Sequence, residues 1–137
     1  MYLLDTNVVS ELRRARPHRA VVAWLESVRD EDLHLSAVTI GEIQAGVEIT
    51  RDQDQDRAAE IEAWLEQVAE TYNILSMDAR TFRSWARLMH RRSDHLIEDA
   101  MIAATADVHG LTVVTRNTRN FESLGVRTFN PFDARLG

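Results

Sequence analysis

The spacing of the β-forming runs constrains this chain more than any other feature. Met1–Asp5, Leu33–Leu35, Ile74–Ser76 and Leu111–Thr115 read as short strands, and a final strand is expected around Val126–Phe129. The first four lie too far apart for tight hairpins, and the stretches between them carry helical periodicity. Val21, Trp24, Leu25 and Val28 recur at helical spacing, as do Ile61, Trp64, Leu65 and Val68. Phe82, Trp85 and Met89 place a further helix after Asp78. Helices are also expected over Asn7–Arg14, from Ala37 to about Glu48, and over Ile97–His109, the last closed by Gly110. Strands alternating with helices predict an α/β fold, a mainly parallel twisted sheet with helices on both faces.

At 137 residues the chain has the size of one domain, expected to span 1–137. Its polar stretch Arg51–Arg57 reads as a helix–helix connection rather than a linker. No apolar run is long enough to span a bilayer, and with an acid at position 5 no secretory leader is expected. Cysteine is absent, which excludes disulfides and zinc–thiolate sites and makes the cytoplasm the expected compartment. A net charge of −6 argues against coating nucleic acid by bulk attraction. It is compatible with an enzyme whose acidic pocket holds cations that meet a phosphate.

Open parallel sheets place functional groups beyond the carboxyl ends of their strands. Three acids fall there: Asp5 after the first strand, Glu42 in the helix after the second, and Asp99 at the start of the helix leading to the fourth. Each has an ordinary alternative. Asp5 precedes a helix and suits an N-cap, although Thr6 or Asn7 can cap instead and leave Asp5 free. Glu42 fits a capping box with Thr39. Asp99 suits the first turn of its helix, yet it shares a stripe with Ala103 and Ala106, small neighbours that leave its carboxylate partly desolvated. Gly41 and Gly46 weaken the Glu42 helix by about 1 kcal/mol each relative to Ala, which suggests that something approaches it closely. Converging carboxylates repel, and a divalent ion resolves the conflict. Hard oxygen ligands suit Mg²⁺ or Mn²⁺. No histidine pair has zinc spacing: His90 and His95 read as solvated, and His18, His34 and His109 as isolated.

The blocks Leu3-Leu4-Asp5-Thr6-Asn7-Val8-Val9-Ser10, Leu35–Glu42, Asp99–Ala106, Val114–Phe121 and Phe129–Phe132 follow one another in an order that resembles PIN-domain proteins, especially the VapC and FitB toxin group. The resemblance implies a PIN-like three-layer α/β fold. It also implies a Mg²⁺- or Mn²⁺-dependent endoribonuclease, the toxin of a toxin–antitoxin pair. Such proteins form homodimers and are restrained by a small, DNA-binding antitoxin. By motif match, Asp5 and Asp99 would be the main metal ligands, and Glu42 would complete the shell or position water. Thr6 and Thr115 would orient these groups. The family's fourth acid falls at Asn117, with Asn120 as the other candidate nearby. Asparagine brings an oxygen but no charge, so a one-ion site is the more economical expectation.

The expected reaction is in-line hydrolysis by metal-activated water, leaving 5′-phosphate and 3′-hydroxyl ends. Arg116 and Arg119 are candidates for RNA-backbone contacts, as are Arg13, Arg14 and Arg16, with a solvated surface as the ordinary alternative. A phosphoacceptor receiver domain needs a late lysine, and the chain has none. A haloacid-dehalogenase-like phosphatase needs a second aspartate where Asn7 stands. The remaining rival is a PIN protein that binds RNA or a DNA-binding partner in a regulatory complex and barely cleaves.

Overall fold

The protein is described here by a computed structural model covering residues 1–133; the last residues of the expected 1–137 domain lie outside it. Five strands form one sheet in the order β3-β2-β1-β4-β5, with every neighbouring pair parallel. They are β1 (Tyr2–Leu4), β2 (Leu33–Ser36), β3 (Asn73–Leu75), β4 (Thr112–Val114) and β5 (Thr128–Phe129). The helices are α1 (Thr6–Glu11), α2 (Arg19–Ser27), α3 (Ala37–Arg51), α4 (Gln55–Thr71), α5 (Ala79–Met89), α6 (Ile97–His109) and α7 (Thr118–Ser123).

Alternation along β1 decides which layer each residue joins. Leu3 and Leu4 are both fully buried, but on opposite faces. Leu3 and Val113 pack with Ala100, Ala103 and Ala106 of α6 and Phe121 of α7, with Trp85 of α5 alongside. Leu4, Leu35 and Val114 pack with Val8 and Val9 of α1, Val21 of α2 and Val68 of α4. The chain therefore covers one face on the way from β1 to β3 and the other on the way to β4. The crossovers part company between the adjacent strands β1 and β4, which makes their carboxyl ends a topological switch point.

Local chemistry sets the helix ends. Asp54 accepts from the Arg57 N–H at 3.0 Å to open α4, and Asp78 accepts from Thr81 N–H at 2.9 Å to open α5. Gly110 closes α6 in the left-handed conformation at φ 66°. One helix lay outside the expected set, and one expectation needs correction. Helix α7 gives no readable periodicity, being six residues with a single buried apolar position, Phe121. Phe82 is 45% exposed and pairs with Trp85 in a T-shaped contact at a centroid distance of 6.2 Å. A methyl group built on Gly41 or Gly46 would meet nothing within 4 Å, so nothing among the described residues crowds the α3 glycines. Among the described residues no helix is long and apolar enough to cross a membrane.

Candidate active site

The site forms where β1 and β4 end, and Asp5 is its most buried acid at 6% exposure. Asp5 does cap α1: its Oδ1 accepts from Thr6 N–H at 2.8 Å. The expectation that a neighbour would cap in its place was wrong. Capping does not exhaust the carboxylate. Oδ2 accepts from Thr115 Oγ1 at 2.8 Å and from Asn7 Nδ2 at 3.1 Å, so three of about four acceptor positions are used. Burial raises the Asp5 pKa above its ordinary value; the bonds from Thr115 and Thr6 oppose that rise, and the nearby Asp99 charge adds to it.

Glu42 stands in the second turn of α3, because Ser36 rather than Thr39 caps this helix, through Val38 N–H at 3.1 Å. The capping-box reading therefore fails. The buried Thr39 hydroxyl instead lies 3.0 Å from Thr6 Oγ1, which lies 3.0 Å from Glu42 Oε1. Thr6 has one hydroxyl proton, and an ionised carboxylate is the stronger acceptor for it. Partial burial raises the Glu42 pKa, the Thr6 bond opposes this, and the charges of Glu98, Asp5 and Asp99 raise it further. These mutual effects place the three acids in one electrostatic neighbourhood. Its cause is topological, since α1 follows β1, α3 follows β2 and α6 leads into β4, three adjacent strands of one parallel sheet.

Asp99 is half-buried in the first turn of α6, and its stripe partners Ala103 and Ala106 are in the core. Its Oδ2 accepts from Asn120 Nδ2 at 3.0 Å. Of the two asparagines expected near the fourth acidic position, Asn120 is therefore the one that touches an acid. Asn117 is exposed and its side chain does not cap α7; only its main-chain N–H enters the network, donating to Thr115 Oγ1 at 2.9 Å.

Asn7, expected as an alternative cap, instead bridges two segments of the site. Its Nδ2 reaches Asp5 and, at 3.3 Å, Thr115 Oγ1, while its Oδ1 accepts from the Arg116 N–H at 3.2 Å. It thus ties the β1 acid to the loop after β4. Glu11 was missed altogether: it is buried, accepts from His18 N–H at 3.1 Å and pairs with Arg14 at 3.3 Å. Arg14 is thereby occupied, whereas Arg13 lines a groove of about 250 Å³ with Thr6, Ser10, Glu42 and Gly46. Arg16 and Arg119 are exposed, as is Arg116, which stacks on Phe132. His95 bonds Ser93 at 2.8 Å and, like His90, lies on the surface.

The donor set is anionic and all-oxygen, which fits a hard divalent cation and no soft metal. Every buried side-chain nitrogen and oxygen among the described residues has a hydrogen-bond partner. Among those residues no three His, Cys, Asp or Glu side chains are already gathered as an ion's ligands. Mg²⁺ keeps several waters and uses one or two carboxylates together with substrate phosphate, so it does not require three ready-gathered protein ligands.

The PIN domain family model matches residues 2–126, which includes all three acids. The chain belongs to the PIN-domain family. This PIN protein is 38% identical to the toxin FitB of Neisseria gonorrhoeae, over 96% of its own length and 99% of the relative's. It is also 38% identical to a VapC ribonuclease, Y4jK, of Sinorhizobium fredii, over 97% and 99% of the two chains. Among solved structures, the FitAcB crystal structure from N. gonorrhoeae superposes with a TM-score of 0.87 at 37% identity, covering 98% of this chain and 100% of that one. A structure of FitAB bound to a DNA fragment gives 0.84 at 35% identity, covering 99% of each chain. The all-parallel sheet and its two helical layers are those of the PIN fold.

Proposed function

We propose that this PIN-domain protein is a divalent-metal-dependent endoribonuclease, the toxin of a toxin–antitoxin pair. The observation that carries the reading is the link made by Thr6, whose N–H binds Asp5 and whose hydroxyl binds Glu42, with the pKa of both acids raised first by burial and then by the charge of Asp99 among other neighbours. Full-length likeness to a protein named a VapC ribonuclease supplies the substrate class. We treat residues 1–137 as one PIN domain that acts in the cytoplasm.

Asp5 and Asp99 would hold Mg²⁺ or Mn²⁺ directly, with Glu42 completing the shell or holding a water. The cation, when bound, supplies a water of lowered pKa and charge neutralisation at the phosphate. The chain's own contribution is orientation. Thr115, Asn7 and the Thr6 N–H fix the Asp5 carboxylate, Thr6 Oγ1 aims Glu42, and Asn120 fixes one oxygen of Asp99. Asn117 adds no charge, which favours one resident ion. Arg116 and Arg119 are assigned to the RNA backbone. The products carry 5′-phosphate and 3′-hydroxyl ends.

Partner assignment follows the solved relatives, among them FitAB bound to a DNA fragment. We assign this chain a small DNA-binding antitoxin and a homodimeric state. A second reading, a regulatory protein that binds but barely cleaves, is favoured by the neutral, exposed Asn117. The two are separated by incubating purified protein with total RNA in Mg²⁺, Mn²⁺ or chelator. Cleavage that needs metal and disappears in Asp99→Asn supports the nuclease. Binding without metal-dependent cleavage supports the regulatory reading.

A further inference from the structure

The Arg116 guanidinium carbon lies 3.7 Å from the centre of the Phe132 ring, well inside cation–π range. Its main chain is anchored too, because the Arg116 N–H donates to the same Asn7 side chain that binds Asp5. Phe132 is itself fixed. It packs against the core cluster containing Leu4 and Val8, meets the His18 ring edge-on at 5.3 Å, and donates its N–H to Asn130 Oδ1 at 2.9 Å. Arg116 is therefore held at both ends, its main chain by the Asn7 that also binds Asp5 and its guanidinium by Phe132. Among the described residues it has no carboxylate partner, and Arg119 has neither a partner nor a stack.

The kind of hold matters. A salt bridge would consume the N–H edge of the guanidinium and neutralise its charge. A ring under its face fixes the plane and leaves the edge donors free, and that edge matches two phosphate oxygens in plane. We propose that Phe132 is a positioning residue that holds Arg116 by its face, so that the guanidinium edge grips an RNA phosphate next to the acids. The proposal rests on the ribonuclease reading only in naming RNA as the polyanion.

The test uses full-length protein in chelator and a short fluorescein-labelled single-stranded RNA, with affinity measured by anisotropy over a salt series. Arg116→Ala should weaken binding and reduce the slope of log K against log salt by about 0.7, one single-strand phosphate contact. Phe132→Leu should weaken binding about 2- to 5-fold, the loss of one exposed cation–π contact, and Phe132→Trp should restore it. On an Arg116→Ala background, Phe132→Leu should cause no further loss, a result that mere destabilisation by leucine would not give. Equal losses with and without Arg116, no loss in either single variant, or no binding by the wild type overturns the proposal. Cleavage of the same RNA with Mn²⁺ is scored in parallel. Wild-type cleavage with binding unaffected by either variant refutes only this inference, and Arg116-dependent binding without cleavage refutes only the nuclease reading.

Discussion

Replacing Asp5 by asparagine preserves shape but reverses the hydrogen-bond polarity of one atom, and the surroundings of Asp5 make that reversal costly. Three donors converge on the carboxylate: Thr6 N–H at 2.8 Å on Oδ1, with Thr115 Oγ1 at 2.8 Å and Asn7 Nδ2 at 3.1 Å on Oδ2. A carboxamide accepts on one side only. With its oxygen towards Thr6, its NH₂ faces two donors. Asn7 can flip to accept only by abandoning the Arg116 N–H, and Thr115 Oγ1 already accepts from Asn117 N–H at 2.9 Å. A buried donor left without an acceptor costs about 1–3 kcal/mol. Relief of the buried charge offsets part of this, so a net loss of about 1–2 kcal/mol is expected for Asp5→Asn. For a chain of this size that lowers Tm by roughly 3–8 °C and leaves the protein folded. Asp99→Asn is the control. Asp99 is half-buried and meets one donor, Asn120 Nδ2, to which an amide oxygen can turn, so its change should stay within about 0.5 kcal/mol. Urea and thermal unfolding in chelator compare the two. Equal stability of Asp5→Asn and Asp99→Asn would refute the convergence of donors on Asp5.

Other outcomes follow from the same geometry. Burial first, and then neighbouring acids, raise the pKa of both Asp5 and Glu42, so their favourable contribution is complete below the ordinary carboxylate range near pH 4 and is lost as pH rises through the raised values. The lowered carboxylates work in a different window. Asp78 is held down by the Thr81 N–H, Glu48 by Arg51 and Glu62 by Gln44, and their contribution disappears only on acidification below about pH 4.5. In chelator, stability should therefore decline as pH rises above the ordinary carboxylate range near pH 4, and Glu42→Gln should flatten that decline in urea titrations. Mg²⁺ or Mn²⁺ at about a hundred times its Kd should add about 2.7 kcal/mol, or roughly 5–10 °C in Tm, and the gain should vanish in Asp99→Asn. Gly110→Ala should cost about 1–2 kcal/mol because the position has φ 66°, with Gly110→Asn milder, as read by thermal unfolding.

The order of strands and helices was legible because each long helix shows its apolar stripe locally, as in Val21–Val28 and the alanine-rich α6. The switch point was not, since it depends on the strand order, which alternation leaves open. Helix α7 was hidden by its brevity. The three acids could be named from their places after strands. Their supports could not, because hydrogen bonds such as Asn7 to Arg116 N–H span sequence separations over which spacing carries no information. Asp5 was misjudged by treating capping and site duty as exclusive, when a carboxylate has acceptors enough for both. The signal for Asn7 was present in the run Asp5-Thr6-Asn7, three polar residues where one cap suffices. Asn120, rather than Asn117, meets Asp99 because α7 turns it back towards α6, which depends on the helix that the sequence did not reveal.

The direct measurement is anomalous diffraction from crystals of the protein soaked in Mn²⁺. One peak between the Asp5 and Asp99 carboxylates, with Glu42 reaching it directly or through water and no peak in Asp99→Asn crystals, is the predicted result. Saturating Mn²⁺ with no density at the carboxyl ends of β1 and β4, or an ion bound elsewhere on the surface, would contradict the account.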